Sequence, residues 1–268
     1  MCILPIIQQK SYMYTIKRGD TLYSIARRFD STVEAIEQAN HLYPPVTDRG
    51  LIFPEDVLVI PAADQPSIMS YVVYPGDGLR GIAASFQTSV DLLAGINNIA
   101  NPNLIYIDQL LLVPAFANEI ETGDTLYKIA TRFGVTVAEI EAANSDRPGF
   151  QRDVIWPGYY LAIPIPISDN IFVTTPLPGT QIQNGQQLEG FARVFEASVQ
   201  HQVRDSNNVV VSRERFTTAS EGAPAYGFFS STLPFDRQPT SSTGEVWVFS
   251  RSAKDNSIQD LVRTPVTF

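Results

Sequence analysis

The feature that most constrains this chain is an internal repeat. Three segments, 19–40 (GDTLYSIARRFDSTVEAIEQAN), 76–97 (GDGLRGIAASFQTSVDLLAGIN) and 123–144 (GDTLYKIATRFGVTVAEIEAAN), align without gaps over 22 residues; each opens Gly-Asp and closes on Asn. A second block aligns without gaps over 12 residues: 50–61 (GLIFPEDVLVIP), 103–114 (NLIYIDQLLLVP) and 153–164 (DVIWPGYYLAIP). Only the connection between the blocks varies in length, as a surface loop can. The 268 residues alone would suggest two domains, at roughly 100–200 residues each. The repeat replaces that figure with three small units and a C-terminal remainder.

One unit can be built from its residues. A short β-rich run precedes each opening Gly: Tyr14-Thr15-Ile16, Tyr71-Val72-Val73 and Glu119-Ile120. Gly19 permits a turn with positive φ, and Asp20 is expected to cap the helix that follows by accepting from its first free N–H groups. Leu22, Ile25, Ala26 and Phe29 then recur at helical spacing, i, i+3, i+4 and i+7, and form one apolar face. A break at Asp30-Ser31-Thr32 leads to a second short helix carrying Val33, Ile36 and Ala39. The second block ends in a strand, 57–60, stopped by Pro61. Each unit therefore reads β-α-α-β, with antiparallel strands and both helices on one face. The linker 62–70 is expected to allow movement. The three residues 115–117 are expected to hold units two and three in a fixed relation.

Each unit resembles a LysM (lysin motif) domain, a carbohydrate-binding module. The resemblance rests on the Gly-Asp-Thr-Leu start, the Ile-Ala-x-x-Phe helix, the closing Asn and the Asn-x-Ile-x-Pro-Gly-like stretch before the last strand. It covers 12–62, 70–115 and 118–165. It implies binding of glycans containing N-acetylglucosamine, of the peptidoglycan or chitin-like oligomer class, in a groove between two loops. Carried onto this sequence, the first loop is Gly19, Asp20 and Thr21, then Asp77 and Gly78, then Asp124 and Thr125. The second is Ile52, Phe53 and Pro54, then Ile105, Tyr106 and Ile107, then Ile155, Trp156 and Pro157. Backbone amides and carbonyls in tight loops can match the donor and acceptor of an N-acetyl group, and an apolar patch can take its methyl. The column Phe53, Tyr106, Trp156 is aromatic in all three copies, and each ring suits either a sugar face or packing under the last strand.

The units also depart from one another. Gly78 stands where the others have Thr21 and Thr125, Ile107-Asp108 where the third has Pro157-Gly158, and Asn118 where the others have Tyr14 and Tyr71. One or more units is therefore open to being weak or structural. Weak sites in tandem still gain from effective concentration, by ~10²–10⁴ where geometry permits.

After Pro164 helical periodicity stops. Short β-rich runs at 170–174, 187–196, 198–204, 209–212, 215–218, 226–233, 245–252 and 261–268 alternate with turn signals such as Pro178-Gly179 and Asn184-Gly185. About seven strands in about 100 residues predict a β-sandwich. Pro176-x-Pro178-Gly179, Gly190-x-Ala192-Arg193-x-Phe195-Glu196 and Ser252-Ala253-Lys254-Asp255 resemble the immunoglobulin-like domain of bacterial spore germination and sporulation proteins. That resemblance spans 168–268 and points to a Gram-positive, spore-forming source. The expected fold class is thus multidomain, three α+β LysM units followed by an all-β sandwich.

Composition removes several alternatives. A net charge of −9 leaves no cationic excess for nucleic acid. One cysteine, Cys2, and two histidines, His41 and His201, are too few for an intrachain disulfide or a four-ligand zinc site, and no cofactor is implied. His41 reads as a loop residue without a partner, His201 as a strand surface residue, and Arg193 and Glu196 as exposed charges. No run approaches the ~20 apolar residues of a membrane span, and the apolar start 1–7 lacks the basic region of a secretory signal. The expectation is a non-catalytic binder of N-acetylglucosamine-containing glycan, at the cell wall or spore envelope, with the sandwich for protein contact or spacing. A wall hydrolase or a spore-assembly protein with LysM units turned to protein contacts is the alternative.

Overall fold

The computed structural model describes residues 11–61 and 67–268. The apolar start 1–7, Cys2 and most of the 62–70 linker lie outside the described residues. The chain forms two compact units, one built from the three repeats and one centred on Ile165–Phe268. The first is mixed α+β and the second all-β. Among the described residues no helix is long and apolar enough to cross a membrane.

Each repeat is β-α-α-β. The first contains β1 (Ser11–Thr15), α1 (Leu22–Arg28), α2 (Val33–Asn40) and β2 (Val57–Pro61). The second contains β3 (Ile68–Val72), α3 (Leu79–Ser85) and α4 (Val90–Ile96), and the third α5 (Leu126–Phe133), α6 (Val137–Asn144) and β5 (Tyr160–Pro164). Between them runs β4 (Leu110–Glu119), ten residues long. Its first half pairs antiparallel with β3, and its second half with β5. The 115–117 linker expected from sequence is therefore not a connection at all: the chain stays extended, and repeats two and three share one strand. Pro114, which has no N–H to give a ladder, falls inside the register shift between the Ser70↔Leu112 and Ile68↔Phe116 pairs. With β1 parallel to β3, the three repeats make one sheet in the order β2-β1-β3-β4-β5.

The predicted helix faces are buried. Leu22, Ile25, Ala26 and Phe29 join Tyr14, Ile16, Ile36, Leu58 and Ile60 in a single core cluster, completed by Val72 from the second repeat. The closing asparagine explains itself in hydrogen bonds. Asn40 Nδ2 donates to the Ile36 carbonyl (2.9 Å) and the Val59 carbonyl (2.7 Å), and its Oδ1 accepts from Val59 N–H (2.9 Å). Asn97 makes the same three bonds with Leu93 and Leu112, and Asn144 with Ile140 and Ala162. One amide thus ends the second helix and fastens it to the last strand.

The repeats are also joined by side chains. Arg147 is buried and has no carboxylate partner among the described residues. Its Nη1 donates to Asn144 Oδ1 (2.8 Å) and the Tyr160 carbonyl, its Nη2 to Asn40 Oδ1 (2.9 Å), and its guanidinium lies 4.5 Å from the Tyr159 ring. The asparagines of repeats one and three are therefore tied through a single cation. Between repeats one and two, Asp108 accepts from Lys17 Nζ and from Arg28 Nη2 (2.8 Å). These two cations hold its carboxyl below the usual carboxylate range, Lys17 first and Arg28 second.

The C-terminal unit is two packed sheets. One has the order β10-β7-β6 and the other β12-β11-β8-β9. Their strands are β6 (Ile171–Thr175), β7 (Gln186–Ala192), β8 (Ser198–Asp205), β9 (Val210–Thr218), β10 (Gly227–Leu233), β11 (Thr243–Arg251) and β12 (Ile258–Thr267). Inward residues such as Leu188, Val199, Val203, Phe229, Val246 and Val248 form its core. Gly190 is required by close approach, since a Cβ there would stand 2.3 Å from the Phe172 carbonyl and under 3 Å from the Phe229 ring. The runs 209–212 and 215–218 are one strand, because a register shift in the β8/β9 pairing carries it past exposed Arg213 and Glu214.

Both histidine expectations are corrected. His201 is not on the surface: it is fully buried on β8, with Nε2 2.9 Å from Ser231 Oγ. Burial, aided by the charge of Arg215, pushes its imidazole down to about 4. The alternation of β8, with every second residue inward, places it there. His41 is not an unpartnered loop residue. It ends α2 in the left-handed region (φ 50°) and is buried against Tyr43 and Trp156. Arg193 is half-buried rather than exposed: its Nε donates to Asn170 Oδ1 (2.9 Å) and its guanidinium lies over Tyr226. Glu196 is exposed as expected.

Candidate functional site

The two loops flagged in each repeat are brought together and held rigid by the same backbone device. The opening glycines Gly19, Gly76 and Gly123 have φ of 94°, 99° and 87°. Each turn is closed by an N–H to carbonyl bond from the following aspartate: Asp20 to Lys17 (3.0 Å), Asp77 to Tyr74 (3.0 Å) and Asp124 to Glu121 (3.1 Å). The second loop turns at Glu55, Asp108 and Gly158, all left-handed (φ 77°, 68° and 88°). It is pinned to the end of the first strand by Glu55 N to the Ile16 carbonyl, Asp108 N to Val73 and Gly158 N to Ile120, at 2.8–2.9 Å. The departure Ile107-Asp108 for Pro157-Gly158 thus leaves the backbone unchanged.

The aspartates do not cap the helices. Asp20 Oδ2 accepts from Lys17 N–H (2.7 Å) and from Tyr14 Oη (2.7 Å), and Asp77 Oδ2 from Tyr74 N–H (2.7 Å) and Tyr71 Oη (2.9 Å). Asp124 Oδ2 accepts from Glu121 N–H at 3.1 Å, and the third repeat, with Asn118 in the Tyr column, has no matching phenol. Next to two of these carboxylates, burial first and the aspartate second push the Tyr14 and Tyr71 phenols well above their usual range. The cap is the next residue. Thr21 accepts from Ser24 N–H in a capping box, and Thr125 from Lys128 N–H, whereas Gly78 caps with no side chain. Aspartate lies one residue too early: its carboxylate reaches back across the glycine turn rather than forward into the helix.

In the third repeat the loops enclose a cleft of about 290 Å³. It is lined by Asp124, Thr125 and Ile155, which the sequence assigned, and by Leu126, Arg152, Asp153 and Val154, which it did not. The missed apolar column was visible in the alignment: Leu51, Leu104 and Val154 are all exposed beside the second loop. Tyr23 and Tyr127, one residue past the buried leucine of the first helix, are 70% and 74% exposed; the second repeat has Arg80 there. Arg49 lies 3.6 Å from Glu37 and Arg152 2.9 Å from Glu141, in matching positions. In repeat two those columns hold Pro102 and Ala94.

The aromatic column divides. Phe53 and Tyr106 are 54% and 63% exposed, and Ile107 is exposed beside Tyr106. Trp156 is half-buried, stacked on His41 of the first repeat at 5.1 Å with planes 23° apart. Ile52 and Ile105 are half-buried under their loops, and Pro54 and Pro157 are exposed. Gly19, Thr21 and Gly78 are exposed in the first loops of repeats one and two. Loops pinned by backbone bonds, a shallow apolar lining and an exposed ring suit an uncharged polar ligand bearing amide and methyl groups.

Among the described residues no group of three or more His, Cys, Asp or Glu is placed to hold a metal ion.

Comparison with known proteins places the chain. Its sequence is 29% identical over 175 residues to an N-acetylmuramoyl-L-alanine amidase of Staphylococcus saprophyticus, a match covering 56% of this chain and 50% of the amidase. It is 30% identical over 159 residues to a secreted LysM effector of Passalora fulva, covering 50% of this chain and 70% of the effector. A spore cortex-lytic enzyme of Bacillus cereus aligns at 28% identity with a TM-score of 0.30, over 39% of this chain and 23% of that enzyme. The chain thus spans about half the length of the amidase. Residues 170–257 match the immunoglobulin-like domain of bacterial spore germination. Residues 14–61, 71–114 and 119–164 match the LysM domain, and the chain belongs to the LysM family.

Proposed function

We propose that this protein is a non-catalytic binder of glycans containing N-acetylglucosamine, of the peptidoglycan or chitin-oligomer class, acting at a cell wall or spore envelope. The observation that carries the reading is the cleft of the third repeat. Two independently pinned loops meet there around Thr125 and Ile155, at positions the LysM resemblance assigns to the sugar, with Val154 beside them. Phe53 and Tyr106 offer exposed rings at the matching place in repeats one and two. The sandwich serves as a protein contact or spacer in this reading.

The test is titration of the full chain with N-acetylglucosamine oligomers of increasing length, followed by backbone NMR. Saturable binding with shifts confined to 19–21, 52–54, 77–78, 105–107, 124–125 and 155–157 is expected. Absence of binding by oligomers of several sugars would favour a role in protein assembly. A second reading, wall hydrolysis, is favoured by the activity named for the staphylococcal relative. Release of soluble sugar or peptide from purified peptidoglycan would overturn the non-catalytic assignment.

A further inference from the structure

The sandwich carries a cavity of about 590 Å³ lined by Asn208, Val209, Val210, Arg213, Asp236 and Arg237. Its walls are fastened by two aspartates whose oxygens are already engaged. Asp205 accepts from the N–H groups of Asn207, Val209 and Thr240 and from Thr240 Oγ1, which ties the 205–209 turn to Thr240. Asp236 takes both guanidinium nitrogens of Arg215 at 2.9 Å and the N–H of Arg213 at 2.9 Å. Backbone bonds from Asp236 N and Arg237 N to the Val211 carbonyl hold the same segment against β9. The cavity is thus preorganised, and filling it would cost little ordering.

Its charge does not balance. Of the charged residues that line it, Arg213 and Arg237 outnumber Asp236, on a chain whose net charge is −9, while Arg204 beside it has Glu245 opposite it in the strand pairing. Arg204 is occupied by Gln202 and Asn208 and lies 4.5 Å from the Trp247 ring, and Arg215 by Asp236. Arg213 keeps only a long, exposed approach to Asp236 (3.4 Å), with its side chain 76% exposed. Arg237 is exposed and makes no ion pair among the described residues. Arg213 and Arg237 thus line the cavity together with the half-buried Val209 and Val210. Guanidinium forks match carboxylate and phosphate oxygens in pairs.

We infer that this cavity binds an organic anion, a carboxylate or phosphate carried on a small apolar body. The anionic group sits between Arg213 and Arg237 and the body rests on Val209 and Val210. The site is separate from the glycan loops and stands whether or not they bind sugar.

The experiment is calorimetric and NMR titration of the full chain with glutarate, phenyl phosphate and inorganic phosphate. Saturable binding of glutarate or of phenyl phosphate is expected, with shifts at 208–213 and 236–237, and whichever binds tighter identifies the anionic group. The double variant Arg213→Gln/Arg237→Gln should weaken that binding at least tenfold. Arg263→Gln, which removes an exposed arginine over the opposite ring contact of Trp247, should leave it unchanged. In the parent chain, affinity should also fall steeply as salt is raised, a reading that needs no variant. No saturable binding of either organic anion overturns the proposal. So does equal affinity in the double variant with its melting transition intact. Inorganic phosphate binding as tightly as phenyl phosphate would mean an adventitious ion only, and would overturn it as well.

Discussion

The second repeat and its two neighbours have one backbone and three different uses for it. Repeats one and three have a threonine cap, an exposed tyrosine on the first helix and an Arg–Glu pair beside the loops; repeat two has Gly78, Arg80, Pro102 and Ala94 in those places. What repeat two has instead is Asp108, which turns the left-handed corner of its second loop and faces Lys17 and Arg28 of repeat one. Repeat three has glycine at that corner and spends its tryptophan on His41 of repeat one. Loop positions that a single LysM unit leaves free are thus partly consumed by contacts between units. Likeness of sequence between repeats says where a backbone turns; it does not say which side chains remain available to a ligand.

The comparison can be pressed hardest at the asparagines. Asn144→Ala strands the Ala162 N–H and carbonyl and one Arg147 donor in the interior, where each unmet group costs about 1–3 kcal/mol. A loss of about 4 kcal/mol in chemical denaturation is expected. Asn97→Ala, half-buried and without an arginine, should cost about 2 kcal/mol. Equal losses would mean that Arg147 adds nothing to the tie between repeats one and three.

The aromatic column separates packing from recognition. Trp156→Ala should lower stability by about 2–3 kcal/mol, since the ring is half-buried and stacked on His41. Phe53→Ala, more than half exposed, should change stability by under about 0.5 kcal/mol yet weaken binding of an N-acetylglucosamine oligomer about fivefold. Melting curves and titrations on the same two variants check both halves. A Phe53→Ala chain that binds normally would remove that ring from the site.

Repeat two can be made more like the others. Gly78 has extended φ and ψ and open space around a would-be Cβ, so Gly78→Thr supplies the missing cap without strain. A gain of about 0.5–1 kcal/mol is expected from denaturation, a few tenths from the cap and the rest from the lower freedom of the unfolded chain.

The smallest effect lies at the corner residue. Asp108→Asn should cost at most about 1 kcal/mol, and less in high salt, because the pair with Lys17 and Arg28 is exposed. The carboxyl is depressed in the folded chain, so its contribution is present above the ordinary carboxylate pKa and is lost as pH falls through the lower, folded value. The gap between parent and variant should therefore close in acid, and a gap that persists would assign the effect to shape rather than charge.

The sequence made much of this readable, and the failures have physical causes. Helical spacing located Leu22, Ile25, Ala26 and Phe29 on one buried face, and the gapless repeats located both loops. The role of aspartate is not legible in sequence because a carboxylate beside a glycine turn can reach either way, and only the geometry shows that it reaches back. Arg147 has Tyr43 and Ala100 in its columns, so no repeat pattern marks it, although it joins units 107 residues apart. His201 looked like a surface residue by type, whereas the strand's inward-outward alternation, the better guide, puts it in the core. The exposed apolar column Leu51, Leu104 and Val154 is present in the alignment, but residue type alone does not separate it from a buried one.

A final consequence follows from β4. Since the second and third repeats meet in the middle of one ladder, their boundary has no loop in which chain can be gained or lost. Gene duplication, deletion or proteolysis at residues 115–117 would remove a strand from two units at once. The number of repeats downstream of β3 is accordingly fixed by the sheet.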